Sequence, residues 1–161
     1  MTGMVWKPDV TVAAIAERDG RFLLVEERAS GRVVINQPAG HLEDGETFLD
    51  AVVRETLEET AWGFEPRAVV GVYVWRPAHM NRTFLRVAFS GELAGHDSAR
   101  PLDHGILRTR WLSRAELVEP RARLRSPLVL QCVDDYLAGA RYPLALISHL
   151  IAAPASLAAS G

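Results

Sequence analysis

Apolar residues in the first part of the chain come in short runs broken by turn residues. The stretch "DVTVAAIAERDGRFLLVEER" has two such runs on either side of Asp19-Gly20. Asp-Gly between strand-like runs predicts a hairpin, because glycine accepts the positive φ of a tight turn. Strands are expected at about Asp9–Glu17 and Arg21–Glu27. "GRVVINQPAG" reads as a short apolar piece entering a loop punctuated by Pro38 and Gly40. From Thr47 to about Ala61 the period becomes helical. Leu49, Val53, Thr56 and Leu57 fall on one face, and Thr47 with Asp50 forms a capping box.

Two further strand-like runs follow, "RAVVGVYVW" and "TFLRVAFSGEL", then a loop, "HDSARPLDHG", and a short strand, "ILRTRWL". "SRAEL" opens as a helical turn capped by Ser113. "SPLVLQCVDDYLAG" has Ser126 as N-cap, Pro127 at the first helical position and Gly139 at the C-terminal end. Interleaved strands and helices predict an α/β (α+β) class with a mixed sheet. A single domain is expected over residues 5–150, with 151–161 a flexible tail of small residues.

Composition narrows the function classes. The 161 residues are 48% hydrophobic and 24% charged, with a net charge of −2. Such a balance gives no electrostatic footprint for a nucleic acid polymer. No apolar run approaches membrane-spanning length. The lone Cys132 excludes an internal disulfide, and the first residues lack signal-peptide character, so a cytoplasmic location is expected. The expected partner is a small phosphate-bearing molecule, with the protein a monomer or a homodimer.

One stretch breaks this ordinary balance. Seven carboxylates lie between Glu43 and Glu59. On a helix, Glu55, Glu58 and Glu59 fall within an arc of about 100°. This arc is expected largely opposite the apolar face. Like charges at this spacing repel, and anions toward a helix C-terminus oppose the macrodipole. A solvated acidic face is the bland explanation. A hard divalent cation is the sharper one, since clustered carboxylate oxygens suit Mg²⁺.

The spacing decides between them: Gly40, five residues, Glu46, seven residues, then Arg54-Glu55-Thr56-Leu57-Glu58-Glu59. It resembles the signature of the Nudix hydrolases, which cleave nucleoside diphosphates linked to another group. The resemblance implies an α/β/α sandwich around a central mixed sheet. It implies a metal site of Gly40, Glu55, Glu58 and Glu59 that takes Mg²⁺, with Mn²⁺ able to substitute. It implies Glu55 or Glu58 as general base, with Arg54 and Glu46 as a supporting pair. Segments such as "NQPAGHLE", "LRSPLV" and "YLAGARYPL" look like the NudJ-type branch, phosphatases of nucleoside di- and triphosphates that also act on thiamine pyrophosphate and its pyrimidine precursor. Narrower pyrophosphatases, for oxidised nucleotides, nucleotide sugars or dinucleoside polyphosphates, are the first alternative. A nucleotide sensor without turnover is the second.

Two positions depart from the family pattern. Thr56 replaces an aliphatic residue, and Ala61 replaces the glycine that usually ends the helix, a role Gly63 is expected to take over. Outside the signature, the candidate substrate contacts are Arg86, Gln37, Trp75 and Arg28. An arginine in a strand can pair bidentately with phosphate, and Trp75 with Tyr73 could offer a stacking face. His41, Asp103 and His104 are secondary candidates, each with an ordinary loop role as the simpler reading.

Overall fold

The computed structural model describes residues 3–119 and 122–152; all but the first two residues of the expected tail lie outside them. Its elements are β1 (Asp9–Ile15), β2 (Glu17–Arg18), β3 (Arg21–Ala29), β4 (Arg32–Asn36), β5 (Ala39–His41), α1 (Phe48–Thr60), β6 (Trp62–Trp75), β7 (Phe84–His96), β8 (Ile106–Ser113), α2 (Arg114–Leu117) and α3 (Pro127–Leu137).

A four-stranded sheet runs β5-β1-β7-β6, with β1 parallel to β7 and the other pairs antiparallel. Alternation along its strands feeds two cores. Val12, Ala14, Val87 and Phe89 meet Ala51 and Val52 of α1. Ala13, Ile15 and Ala88 meet Val129, Cys132 and Val133 of α3. This is the expected helix–sheet–helix layering around a mixed sheet.

The sequence reading missed a second sheet. In it β3 pairs with β8 along one edge and with β2 and then β4 along the other. The Asp19-Gly20 turn forms, with φ 52° and 74°. The expected first strand nevertheless divides: β1 stays in the first sheet, while Glu17 and Arg18 cross to the second. Ser30 and Gly31 repeat the left-handed pair (φ 49° and 75°), making β3–β4 a hairpin as well.

Helix α1 begins where expected. Thr47 accepts from Asp50 N, and Asp50 accepts from Thr47 N, so the capping box is closed. The chain after α3 returns to this end, where Phe48 N donates to His149 Nε2 at 3.1 Å. Two expectations fail along α1. First, its buried residues are Ala51, Val52, Glu55, Thr56, Glu59 and Thr60, while Leu49, Val53 and Leu57 are only half-buried. The carboxylates therefore do not lie opposite the packed face; Glu55 and Glu59 share it. Thr56 fits there because its hydroxyl donates back to Val52 O at 2.7 Å.

Second, the helix ends at Ala61, which caps it in the left-handed region (φ 59°, ψ 14°) with its N–H on Leu57 O. Gly63 is not the terminator. It lies in β6, where a Cβ would meet Ala94 O at 2.1 Å, so it serves the close approach of β7. A left-handed alanine is strained by about 1–2 kcal/mol, partly offset by the greater entropy glycine loses on folding. Ala61→Gly should therefore stabilise the fold by up to about 1 kcal/mol, seen as a raised denaturation midpoint. A lowered midpoint would mean that the buried Ala61 methyl outweighs the strain.

Candidate functional site

Register across the first sheet builds the site floor. His41, Thr11, Arg86 and Tyr73 stand side by side on β5, β1, β7 and β6. The neighbouring row carries Asp9, Phe84 and Trp75. Side chains in each row point to one face, and His41, Thr11, Arg86, Phe84 and Trp75 floor a cavity of about 420 Å³. Its walls are Glu27 of β3, Gly40 of β5, Glu55 and Glu59 of α1, and Arg125, Ser126 and Leu128 at the start of α3.

The acidic end depends on Gly40. A Cβ there would lie 2.1 Å from the Glu55 carboxyl, so the bare backbone is what lets Glu55 press against β5. Glu59, one turn on, accepts a hydrogen bond from Ala39 N at 3.0 Å. Burial pushes the Glu55 carboxyl above the usual range despite the adjacent Arg54. Burial also pushes Glu59 up to about 9, with Glu55, Glu27 and Asp103 adding repulsion. No cation pairs with Glu59 among the described residues.

Arg54 organises the other carboxylates. Its Nε and Nη2 grip Glu46 at 2.6 and 3.0 Å, and Nη2 also donates to His41 O. Its Nη1 bridges Glu55 at 2.9 Å and Glu58 at 3.1 Å. This pairing holds Glu46 below the usual carboxylate range. Arg54 and Glu46 thus form the supporting pair that the family resemblance implied. Glu58 is drawn toward Arg54 and does not line the cavity. Accordingly no group of three metal-ligating side chains is gathered among the described residues. Gly40, Glu55 and Glu59 are the oxygen-bearing residues that converge on the cavity from the expected set.

The four candidate substrate contacts separate. Arg86 is 6% exposed and lines the cavity, with Nη1 on Gln37 Oε1 at 3.0 Å and Nη2 on Asn36 Oδ1 at 3.3 Å. Trp75 also lines it and stacks on Phe84 at 5.6 Å between ring centroids. Gln37 is fully buried, donating to Val129 O at 2.7 Å, so it positions Arg86 rather than facing a ligand. Arg28 is exposed on β3 and is not part of the cavity lining. Tyr73 turns away to donate to Asp135 Oδ2 at 2.7 Å, leaving Phe84 as the partner of Trp75. His41 stands at the cavity mouth, 3.4 Å from Asp9. Asp103 is tied by its N–H to Glu58 O at 2.9 Å, outside the lining, and His104 is exposed.

Glu27, Phe84 and Thr11 were not singled out from the sequence. The alternation Phe84, Arg86 in "TFLRVAF" was a usable signal for Phe84. Glu27 follows a register shift between Glu26 and Glu27, so alternation alone could not tell which of the two faces the cleft. Glu26 turns instead to Arg108 at 2.6 Å and to Arg110.

Known proteins resemble this chain in sequence and fold. The NUDIX domain family model matches residues 6–131. The chain is 41% identical over 143 residues to the phosphatase NudJ of Escherichia coli K12, covering 89% of this chain and 92% of that protein. A NUDIX hydrolase from Nitrosomonas europaea superposes with a TM-score of 0.87 at 46% identity, over 91% of this chain and all of that one. A MutT NUDIX hydrolase from Burkholderia pseudomallei shares the fold, with a TM-score of 0.69 at 22% identity over 81% of this chain and 98% of that one. An acidic helix end packed on a glycine of β5, braced by an arginine hub, thus occurs within a chain that belongs to the Nudix hydrolase family.

Proposed function

We propose that the protein hydrolyses phosphoanhydride bonds in nucleoside di- and triphosphates and in thiamine-type pyrophosphates, with Mg²⁺ as cofactor. One observation carries this reading: two buried carboxylates, Glu55 and Glu59, meet at one end of a cleft whose floor holds the buried Arg86. Burying such carboxylates is costly unless a cation compensates them. Hard oxygen donors of this kind suit Mg²⁺. The carbonyl of Gly40 with Glu55 and Glu59 would hold the ion, and Glu58 would join them on leaving Arg54. When bound, Mg²⁺ lowers the pKa of a water ligand and neutralises phosphate oxygens.

The chain's own groups do the rest. Arg86, fixed by Gln37 and Asn36, neutralises a phosphate that is not attacked. Glu55 faces the cavity whereas Glu58 is turned to Arg54, so Glu55 is better placed than Glu58 to take the proton of the attacking water. Arg54 positions Glu55 and has no direct part in the chemistry. The sheet also sets a length. From β5 to β6 is three strand spacings, roughly 14 Å. That span suits a diphosphate and its linking group before an aromatic ring meets Trp75 and Phe84. The name of the Escherichia coli relative, a phosphatase, supports hydrolysis that releases phosphate. A screen of nucleoside di- and triphosphates, thiamine pyrophosphate and nucleotide sugars, with product identification, tests the reading. Turnover confined to nucleotide sugars would favour a narrower pyrophosphatase.

Three outcomes follow from the acidic end. Mg²⁺ at a hundredfold excess over its dissociation constant should stabilise the fold by roughly 3 kcal/mol, seen as a raised melting temperature. Glu59→Gln should abolish most turnover while the metal-free protein stays folded, whereas Glu92→Gln, on an exposed β7 site, should leave turnover intact.

The third outcome concerns pH. Folded Glu59 keeps its proton up to about 9, while the unfolded chain releases it near 4.5. The folded state therefore binds the extra proton between these values, and the parent loses stability as pH rises through that window. In chelator, the melting temperature of Glu59→Gln relative to the parent should climb steadily from pH 5 to pH 8. A difference that stays flat would show that Glu59 is not held protonated in the metal-free fold.

A further inference from the structure

Beside the glutamates, the cleft wall carries a chain of polar contacts. Gln37 Nε2 donates to Val129 O, and Gln37 Oε1 accepts from Arg86. Arg86 donates to Asn36 Oδ1, and Asn36 Nδ2 donates to Glu27 Oε1 at 3.3 Å. Arg125 Nη1 reaches the same Glu27 oxygen at 3.4 Å. The two ends of this chain differ in freedom. The Glu27 side chain is 17% exposed, and Asn36 restrains it. That of Arg125 is 46% exposed, and among the described residues its carboxylate contact is this single long one. Its backbone is pinned: Arg125 N donates to Ile35 O at 2.8 Å, and Ile35 N to Arg123 O at 2.7 Å. Only the side chain is free to swing, and it lines the same cavity as Arg86, Glu55 and Glu59.

A contact of 3.4 Å lies beyond the roughly 2.7–2.9 Å of a strong charge-assisted hydrogen bond. Little is lost when Arg125 leaves it. A phosphate dianion offers the guanidinium a bidentate partner of higher charge than the carboxylate. A phosphate esterified on both sides offers one charge and two free oxygens, which competes poorly with Glu27.

We propose that Arg125 is a specificity-determining residue that exchanges Glu27 for the free terminal phosphate of the substrate, favouring chains that end in phosphate over diphosphates capped at both ends. Glu27 is then the competitor that holds Arg125 back when no dianion is present. The proposal rests on the phosphoanhydride reading of the cleft. Direct binding tests it without turnover, so its failure is separable from a substrate screen that finds no hydrolysis.

The probes are orthophosphate and dimethyl phosphate, titrated by calorimetry at fixed Mg²⁺. The parent should bind orthophosphate more tightly than dimethyl phosphate. Arg125→Ala should weaken orthophosphate about tenfold, equivalent to about 1.4 kcal/mol, and collapse that preference. Glu27→Gln should act in the opposite sense, tightening orthophosphate severalfold by freeing Arg125. The double variant decides: it should match Arg125→Ala alone. If Glu27→Gln tightens phosphate equally with and without Arg125, its effect is long-range charge and the exchange does not occur. Parent protein that does not bind orthophosphate, or Arg125→Ala that binds it unchanged, overturns the proposal as well.

Discussion

The site depends on the contact between the Glu55 carboxyl and the bare Cα of Gly40. A side chain at residue 40 would push Glu55 off β5 and take Glu59 from Ala39 N. Because the carboxylates dock on backbone, they are drawn out of water and held close together. Their charge is disfavoured there, as the raised proton affinity of both groups records. A solvated acidic face would not carry that penalty. This places the cluster among arrangements whose cost is compensated by something bound, and phosphate chemistry with a divalent cation is the compensation that the rest of the cleft fits.

The surrounding structure keeps this arrangement from relaxing. The capping box and His149 fix the start of α1, and the left-handed Ala61 fixes its end. Arg54 then ties the helix to the β5–α1 loop through Glu46 and His41 O. Its bridge to Glu55 and Glu58 sets how much of the acidic charge is already neutralised inside the protein. Among the described residues, Glu59 is left without a cation. On the other wall, the path from Val129 O through Gln37, Arg86 and Asn36 to Glu27 couples the α3 core to the cleft, so a change in core packing at Val129 would be felt at the phosphate-facing arginine.

Much of this was legible in the residues. The helix, its N-cap and the Asp-Gly turn follow from period and turn chemistry; the Arg54–Glu46 pair and the grouping of Gly40, Glu55 and Glu59 were implied by the resemblance to the Nudix signature, and Arg86 and Trp75 stood as candidates beside ordinary solvent-facing and core readings. Part of what escaped comes from sheet pairing that a single sequence does not encode locally. The switch of sheets after Ile15 and the register shift at Glu26/Glu27 hid the second sheet and Glu27. Arg28 was expected to touch the substrate, yet it is exposed on β3 and outside the cavity lining. Gln37 was read as facing a ligand, but tertiary packing gives both its amide atoms to the protein. Ala61 shows tertiary context overriding propensity: a left-handed alanine is tolerated where Thr60, Ala61 and the start of β6 must be buried together.

The most direct test of the central claim is the binding of Mn²⁺ itself, followed by the loss of the free-ion paramagnetic resonance signal in the parent and in Glu59→Gln. The account predicts that the parent takes up Mn²⁺ and that the variant, one charged oxygen poorer, binds it at least about tenfold more weakly. Equal binding by the two proteins, or none by either, would contradict the claim that the buried carboxylates of α1 are there to hold a cation.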